Sequence, residues 1–148
     1  MRRPSSTLVL DAAILISAAL GRSTGAILEA QRASALVTTD RVVHEARRRL
    51  ELGLKRPELL DVLDDLAAAL TIVPVAALEP LLGSCEQALR DAVASRNGST
   101  LDAHVLALAW SAEADVWSTD RDFAGTGVAT WSTPNLMRGL AEATTEGN

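Results

Sequence analysis

The stretch that decides the fold lies near the start of the chain and reads TLVLDAAILISAAL at residues 7–20. Thr7–Leu10 is a short apolar run of the kind that forms a core strand, and Asp11 ends it. The apolar residues after Asp11 continue as a helical segment. A leader peptide is the alternative, because Arg2 and Arg3 precede the stretch, but an acid in its middle argues against both a leader and a membrane span. We therefore predict a strand that runs directly into a helix.

The rest of the chain repeats this alternation of strand and helix. Further apolar runs predict strands at Ala35–Thr39, Thr71–Val75, Val116–Ser118 and Val128–Trp131. Segments with helical spacing lie between them, at residues 26–33, from a cap at Asp40 to Gly53, at 57–70, 76–82 and 85–95, from a cap at Ser99 to about 114, and from Pro134 onward. Pro74 places the third strand at an edge of the sheet or ends it early. This order predicts one α/β domain over residues 1–148, with a central parallel sheet of four to five strands, helices on both faces and a frayed tail after about residue 141.

The composition excludes several classes of protein. Hydrophobic residues make up 48% of the chain and charged residues 22%, as in a globular domain rather than a disordered one. A net charge of −5 argues against a surface that grips nucleic acid everywhere, although a local basic strip is compatible with it. Aromatic residues are only 3%, so a base-stacking surface is not expected. The single cysteine, Cys85, excludes an internal disulfide and a cysteine-based zinc site, and it fits a cytoplasmic location.

Four acidic residues are expected at the carboxyl edge of this sheet, where open parallel sheets bind their ligands. Asp11 directly follows the first strand, and Asp120 follows the fourth. Asp102 lies in the first turn of the helix that enters the fourth strand. Glu45 lies in the second turn of the helix that leaves the second strand. The topology therefore predicts that the four carboxylates converge.

Each acid also has a purely structural interpretation. Asp11 can cap its helix, and Asp102, three residues after Ser99, can complete a capping box. Turns can be stabilised by Asp120 and Asp122. Glu45 can be a solvated helix residue that pairs with one of the arginines that follow it, Arg48 or Arg49.

Helical spacing argues against the structural interpretation for two of the acids. Asp102 shares a helix face with Val105 and Leu106, which must pack inward. Glu45 lies on the flank of the apolar stripe that begins at Val42 rather than opposite it. Neither position suits a freely solvated carboxylate.

Together the four acids suggest a metal site. Two bare carboxylates about 4 Å apart repel by about 4 kcal/mol at an effective dielectric of about 20, so such a cluster takes up protons or binds a cation. Oxygen ligands without cysteine or a histidine pair favour Mg²⁺ or Mn²⁺ over Zn²⁺, and we interpret His44 and His104 as structural. Ions held in this way activate water and stabilise displacement at a phosphodiester. The chemistry that this predicts is hydrolysis of a nucleic-acid backbone.

The basic residues that flank Glu45 allow two interpretations. They form either a solvated helix face or a strip that contacts phosphates beside the acids without reading the base sequence. The strip centres on Arg47, Arg48 and Arg49, with Arg41, Lys55 and Arg56 on either side.

Four segments, in this order, resemble the PIN-domain ribonucleases and, within them, the VapC-like toxins of bacterial toxin–antitoxin pairs. They are LVLDAAILIS at residues 8–17, VVHEA at 42–46, LDAHVLALA at 101–109 and VWSTDRDF at 116–123. Each segment alone is weakly specific, whereas the ordered set spans nearly the whole domain.

The resemblance implies a function and a set of site residues. It implies that Asp11, Glu45, Asp102 and Asp120 are catalytic and bind Mg²⁺ or Mn²⁺, with Asp122 as a secondary acid and Ser118 as a hydroxyl that supports the last acid. It also implies RNA as the substrate, a homodimer, and a small antitoxin that blocks the site. One position departs from the pattern: Ala13 stands where the family commonly has Asn or Ser, which removes a hydrogen bond of the kind that tunes metal affinity.

Three functions are therefore compared. The first is a metal-dependent endoribonuclease that acts as a toxin, and the second is a PIN-like binding module with weak or no catalysis, for which Ala13 is the hint. A phosphotransfer or phosphatase domain would need a second acid close to Asp11, which Ala12 and Ala13 do not supply. Other catalytic patterns are missing, since the sequence has no dinucleotide fingerprint, phosphate loop or nucleophile elbow.

Overall fold

The computed structural model describes residues 2–91, 102–119, 123 and 126–146 of the chain. It begins with strand β1 (Thr7–Leu10), helices α1 (Ala12–Ala19) and α2 (Thr24–Ala33), and strand β2 (Ala35–Thr39). Helix α3 (Asp40–Arg48) continues into a π-helical turn (Arg49–Gly53), and a 3-10 turn (Pro57–Leu59) leads to helix α4 (Leu60–Ala68) and strand β3 (Thr71–Val73). A second 3-10 turn (Val75–Leu78) precedes helix α5 (Glu79–Asp91). Helix α6 (Ala103–Ala112), strands β4 (Asp115–Trp117) and β5 (Thr130–Trp131), and helix α7 (Thr133–Glu146) follow.

The strands form one parallel sheet in the order β3-β2-β1-β4-β5. Strand β1 is central, with Leu8 paired to Leu36 on β2 and to Asp115 on β4. Leu8, Val9 and Leu10 are all fully buried, as expected for a parallel strand covered on both faces. The predicted fold class, an α/β domain with a parallel sheet flanked by helices, is confirmed. Strand β3 lies at an edge, as Pro74 predicted.

Two helices begin differently from the prediction. Helix α3 is capped by Thr39, whose hydroxyl accepts from the N–H of Val42 at 3.0 Å. The predicted cap, Asp40, instead accepts from the N–H of Val75 at 2.9 Å and ties the start of α3 to the turn after β3. Helix α6 begins at Ala103 rather than near residue 100. Its predicted cap, Ser99, lies outside the described residues.

The last helix is longer than the sequence predicted. We expected fraying after about residue 141, whereas α7 is helical to Glu146. The hydroxyls of Thr144 and Thr145 donate to the carbonyls of Leu140 and Ala141, both at 3.0 Å. Side-chain bonds to the preceding turn satisfy these polar residues within the helix.

The core lies around β1 and includes Trp117 and Phe123, the two largest fully buried side chains described. Cys85 is also fully buried, and burial, followed by repulsion from Glu86, raises the pKa of its thiol to about 11. This thiol is therefore protonated and contributes packing, as the sequence predicted. Over the described ranges, no helix has the length and apolar character needed to cross a bilayer.

Candidate functional site

Asp11 is the most firmly held of the predicted site residues. It follows β1 with an extended backbone and caps α1, where its Oδ1 accepts from the N–H of Ile14 at 3.0 Å. Its Oδ2 accepts from the hydroxyl of Ser118, and its own N–H donates to the carbonyl of Trp117 at 3.3 Å. Both carboxylate oxygens and the backbone are thus fixed at the carboxyl edge of the central strand. The capping interpretation is correct, but it describes only one of the two oxygens.

Ser118 lies at the end of β4 and is almost fully buried. The hydroxyl of Ser118 donates to the first acid, Asp11, and its predicted support of the last acid stays a prediction. Asp120 and Asp122 lie outside the described residues, so their positions stay predictions. The sequence did not predict the contact between Ser118 and Asp11. One signal for it is that Ser118 directly follows β4, the strand that pairs with β1.

Asp102 occupies the N-cap position of α6 rather than its first turn. Its carboxylate does not cap the helix, while its carbonyl accepts from the N–H groups of Val105 and Leu106 at 3.0 and 3.3 Å. The side chain is half-buried, which agrees with the expectation that it is not freely solvated. The capping-box interpretation is wrong, because Asp102 stands at the cap itself and not three residues inside the helix.

Glu45 is exposed on α3, beside the buried Ala46. The expectation that its position does not suit a solvated acid is wrong, because α3 packs against the core through Val42, Val43 and Ala46 and leaves Glu45 exposed. Within the described part of the chain, Glu45 has no hydrogen-bond or ion-pair partner, so it does not pair with Arg48 or Arg49. Its carboxylate faces solvent and is accessible to a ligand.

Buried threonine and histidine side chains link the elements that carry these acids. Thr38, fully buried, donates to the carbonyl of Leu10 at 2.7 Å, one residue before Asp11. The hydroxyl of Thr39, also fully buried, is 2.8 Å from Nδ1 of His104. These hydrogen bonds therefore join the carboxyl ends of β1 and β2 to the starts of α3 and α6.

His104 is neutral in this environment, in agreement with its structural interpretation. Burial lowers the pKa of His104 from 6.5 to about 4, the positive charge of Arg41 acts in the same direction, and Asp40 opposes both. The hydroxyl of Thr39 accepts from the N–H of Val42 and also forms a hydrogen bond with Nδ1 of His104.

The described carboxylates match the ligand chemistry of Mg²⁺ or Mn²⁺ but do not complete a site by themselves. Asp11, Glu45 and Asp102 supply only oxygen donors, which these ions prefer. Among the residues that the structure describes, no three metal-ligating side chains come together as a cluster. A cation at this edge would therefore need a carboxylate from residues 120–122 in addition to Asp11 and Asp102.

The predicted basic strip divides into paired and exposed arginines. Arg47 forms an ion pair with Asp64, which joins α3 to α4, and Arg56 pairs with Glu58. Arg48 and Arg49 are exposed at the end of α3. Arg47 therefore has an acidic partner, whereas Arg48 and Arg49 keep their charge available, and contact of the three arginines with phosphate stays a prediction.

The fold and this edge define a class: a parallel α/β domain with an acid and polar side chains at the carboxyl ends of its central strands. The sequence profile of the PIN domain family matches residues 9–141, and the chain belongs to that family. PIN domains are generally nucleases that use divalent metal ions. The crystal structure of PAE2754 from Pyrobaculum aerophilum is similar, with a TM-score of 0.60 and 16% identity over 92% of this chain and 96% of that one, a likeness of fold alone. No curated protein matches the chain.

Proposed function

We propose that this PIN domain is a metal-dependent endoribonuclease that hydrolyses RNA phosphodiester bonds. Its catalytic carboxylates are Asp11, Glu45, Asp102 and Asp120, and Asp122 is an additional metal ligand. The observation that supports this most is the double fixation of Asp11, by the N–H of Ile14 and the hydroxyl of Ser118. A carboxylate oriented before any ligand arrives is the kind of preorganised group that a metal site requires.

Each of these residues has a separate role in the proposed reaction. Asp11 and Asp102 would hold the ion together with the acids of residues 120–122, and Ser118 fixes the orientation of Asp11. A bound Mg²⁺ or Mn²⁺ supplies Lewis-acid activation of water and neutralises phosphate charge. Glu45 faces solvent without an internal partner, and its carboxylate can accept the proton of the attacking water. Arg48 and Arg49, both exposed, contact the RNA backbone.

The biological setting follows from the resemblance. We propose a cytoplasmic toxin of a toxin–antitoxin pair that acts as a homodimer and is blocked by a small antitoxin protein. A short gene for a DNA-binding protein directly upstream of this one is the expected genomic neighbour. Its absence would count against the toxin role and leave the nuclease proposal in place.

A second candidate, a PIN-like module that binds RNA or protein without efficient catalysis, has one observation in its favour. Ala13, half-buried in the first turn of α1, offers no polar group next to Asp11. A hydrogen bond missing near a metal ligand typically costs about 10–100-fold in affinity or activity. RNA that is bound but never cut with either ion would favour this candidate.

The test is cleavage of a labelled single-stranded RNA with Mg²⁺, with Mn²⁺ and with EDTA. We expect cleavage only with the ions, and its loss in Asp11→Asn and Glu45→Gln. Asp65→Asn is the matched control, because Asp65 is an exposed acid on α4. Glu45→Gln should leave the melting temperature in EDTA unchanged, since Glu45 has no partner among the described residues. Undiminished cleavage in EDTA would refute the mechanism.

A further inference from the structure

A second feature is a cleft along the β5 edge of the sheet, between strand β5 and helix α7. We call it the β5–α7 cleft; its volume is about 330 Å³, and its lining includes Arg2, Thr130, Trp131, Asn135, Arg138 and Gly139. A volume of this size falls at the lower end of the range of small-molecule sites, about 300–1,000 Å³. None of these residues belongs to the predicted catalytic set. The cleft therefore needs its own explanation.

The cleft combines two cationic groups with an aromatic surface. Arg138 is exposed and forms no ion pair within the described residues, so its charge is available. Arg2 is also largely exposed, with a guanidinium nitrogen 3.7 Å from Oδ1 of the buried Asp115. The indole N–H of Trp131 donates to Oδ2 of Asp115 at 2.9 Å, which turns the polar side of the ring inward. The ring then contributes apolar surface to the cleft, and the carboxamide of Asn135 contributes hydrogen-bonding groups.

One end of the cleft, at Trp131, is level with Ser118, and the other end, at Arg2 beside Asp115, lies toward the amino ends of the strands. The N–H of Ser118 donates to the carbonyl of Trp131 at 3.0 Å, and the hydroxyl of the same serine holds Asp11. Strand β5 lies two strands from β1 in the sheet, which corresponds to about 10 Å at the usual strand spacing. A strand of RNA whose scissile phosphate lies at Asp11 would therefore reach the cleft a few nucleotides from the cut, along the β5 edge of the sheet.

We propose that the β5–α7 cleft binds a nucleotide of the RNA strand that flanks the cut, with Arg2 and Arg138 on its phosphate and Trp131 against its base. This rests on the proposed ribonuclease function and adds a binding site to it. Arginine suits phosphate because its guanidinium donates two parallel hydrogen bonds. An extended acidic peptide is less favoured, because β5 has only two residues and offers a short edge for strand addition.

The test measures RNA binding without cleavage. Fluorescence anisotropy with a labelled single-stranded RNA of about a dozen nucleotides, in EDTA, compares wild type with Arg138→Gln and Arg2→Gln. We expect each variant to weaken binding about three- to tenfold and to reduce the salt slope of log K by about 0.7. Arg138→Gln is the cleaner variant, because Arg138 has no described ion pair to lose. Melting curves confirm that each variant is folded.

Arg90→Gln is the matched control. Arg90 is exposed on α5, donates to Gln87, and belongs to a helix that packs near the β3 edge, at the opposite side of the sheet from β5. It should bind RNA like wild type.

Cleft variants that bind with wild-type affinity and salt slope would overturn the proposal, even if the protein cuts RNA. If the cleft variants bind RNA more weakly but the wild-type protein never cuts RNA, the proposed binding site is supported and the proposed nuclease activity is refuted. An acidic peptide whose binding alone depends on Arg138 would assign the cleft to a protein partner and overturn the proposal.

Discussion

Ser118 donates its hydroxyl hydrogen to Asp11 from a position that is only 1% exposed. Ser118→Ala deletes this donor while the carboxylate oxygen stays where it is. We expect the free energy of unfolding in EDTA to fall by about 1–3 kcal/mol, the cost of removing one partner from a buried hydrogen bond. We also expect Mn²⁺ affinity to fall about 10–100-fold, because groups that orient metal ligands act on that scale. Urea unfolding and calorimetric titration measure the two effects.

Ser118→Thr is the control for this prediction, because it keeps the hydroxyl. It should restore most of the Mn²⁺ affinity even if the added methyl group costs some stability in the buried position. An alanine variant with wild-type stability and wild-type Mn²⁺ affinity would show that the contact does not position Asp11.

Residue by residue, the sequence predicted the site unevenly. Asp11 was predictable because its position after an apolar run serves both as a helix cap and as a ligand at the sheet edge. The partner of Ser118 was not, because it depends on the pairing of two strands more than a hundred residues apart. Glu45 shows a different limit: helical spacing places it beside the apolar stripe, but how far that face is covered depends on neighbouring helices.

At the scale of elements, the bond between Thr39 and His104 connects the start of α6 to the end of β2. The pKa of His104 falls from 6.5 to about 4, mainly through burial and then through Arg41. The unfolded chain protonates His104 more readily than the folded one. The contribution of the neutral histidine to the free energy of unfolding is therefore complete above about pH 6.5 and is lost as the pH falls towards 4. At about 1.4 kcal/mol per unit of pKa, the total loss is about 3 kcal/mol.

The measurement is the free energy of unfolding in EDTA between pH 7 and pH 4, for wild type and for His104→Gln. Other groups titrate equally in both proteins, so the difference between the curves isolates the histidine. We expect the variant to be less stable at pH 7 and the two curves to approach each other as the pH falls. Parallel curves across this range would mean that His104 is not kept neutral by the fold.

The sequence predicted the helix boundaries that local signals decide, and it missed those that tertiary contacts decide. Thr39 rather than Asp40 caps α3, because Asp40 is drawn to the N–H of Val75 across the sheet edge. The pairing of Arg47 with Asp64 likewise joins two helices and leaves no trace in the local sequence. Periodicity alone could not separate this arginine from the exposed Arg48.

For the whole molecule, the alternation of strands and helices predicted the parallel sheet, but not the order β3-β2-β1-β4-β5. That order decides which polar side chains meet at the catalytic edge, because it places β1 between the strands that carry Thr38 and Ser118. It also leaves β5 at an edge, where α7 and the segment before β1 pack against it. The cleft depends on this packing and could not be seen in the sequence.

Gly139 shows how closely these parts approach. A Cβ atom there would lie 3.1 Å from both Cδ of Pro4 and Cζ3 of Trp131, two rings that cannot yield easily. Gly83, on the exposed face of α5, has no heavy atom within 4 Å of the corresponding position and is the matched control. Alanine is favoured over glycine in a helix by about 1 kcal/mol, whereas overpacking costs about 1–3 kcal/mol.

We therefore expect Gly83→Ala to raise the free energy of unfolding by up to about 1 kcal/mol, since only helix propensity changes. Gly139→Ala should be less stable than Gly83→Ala by about 1–3 kcal/mol, because the same gain is offset by the contacts with Pro4 and Trp131. Thermal or urea unfolding of the two variants measures this difference. Equal gains at both positions would mean that α7, β5 and the segment before β1 do not pack as closely as described, and the walls of the β5–α7 cleft would then lack the fixed geometry that nucleotide binding requires.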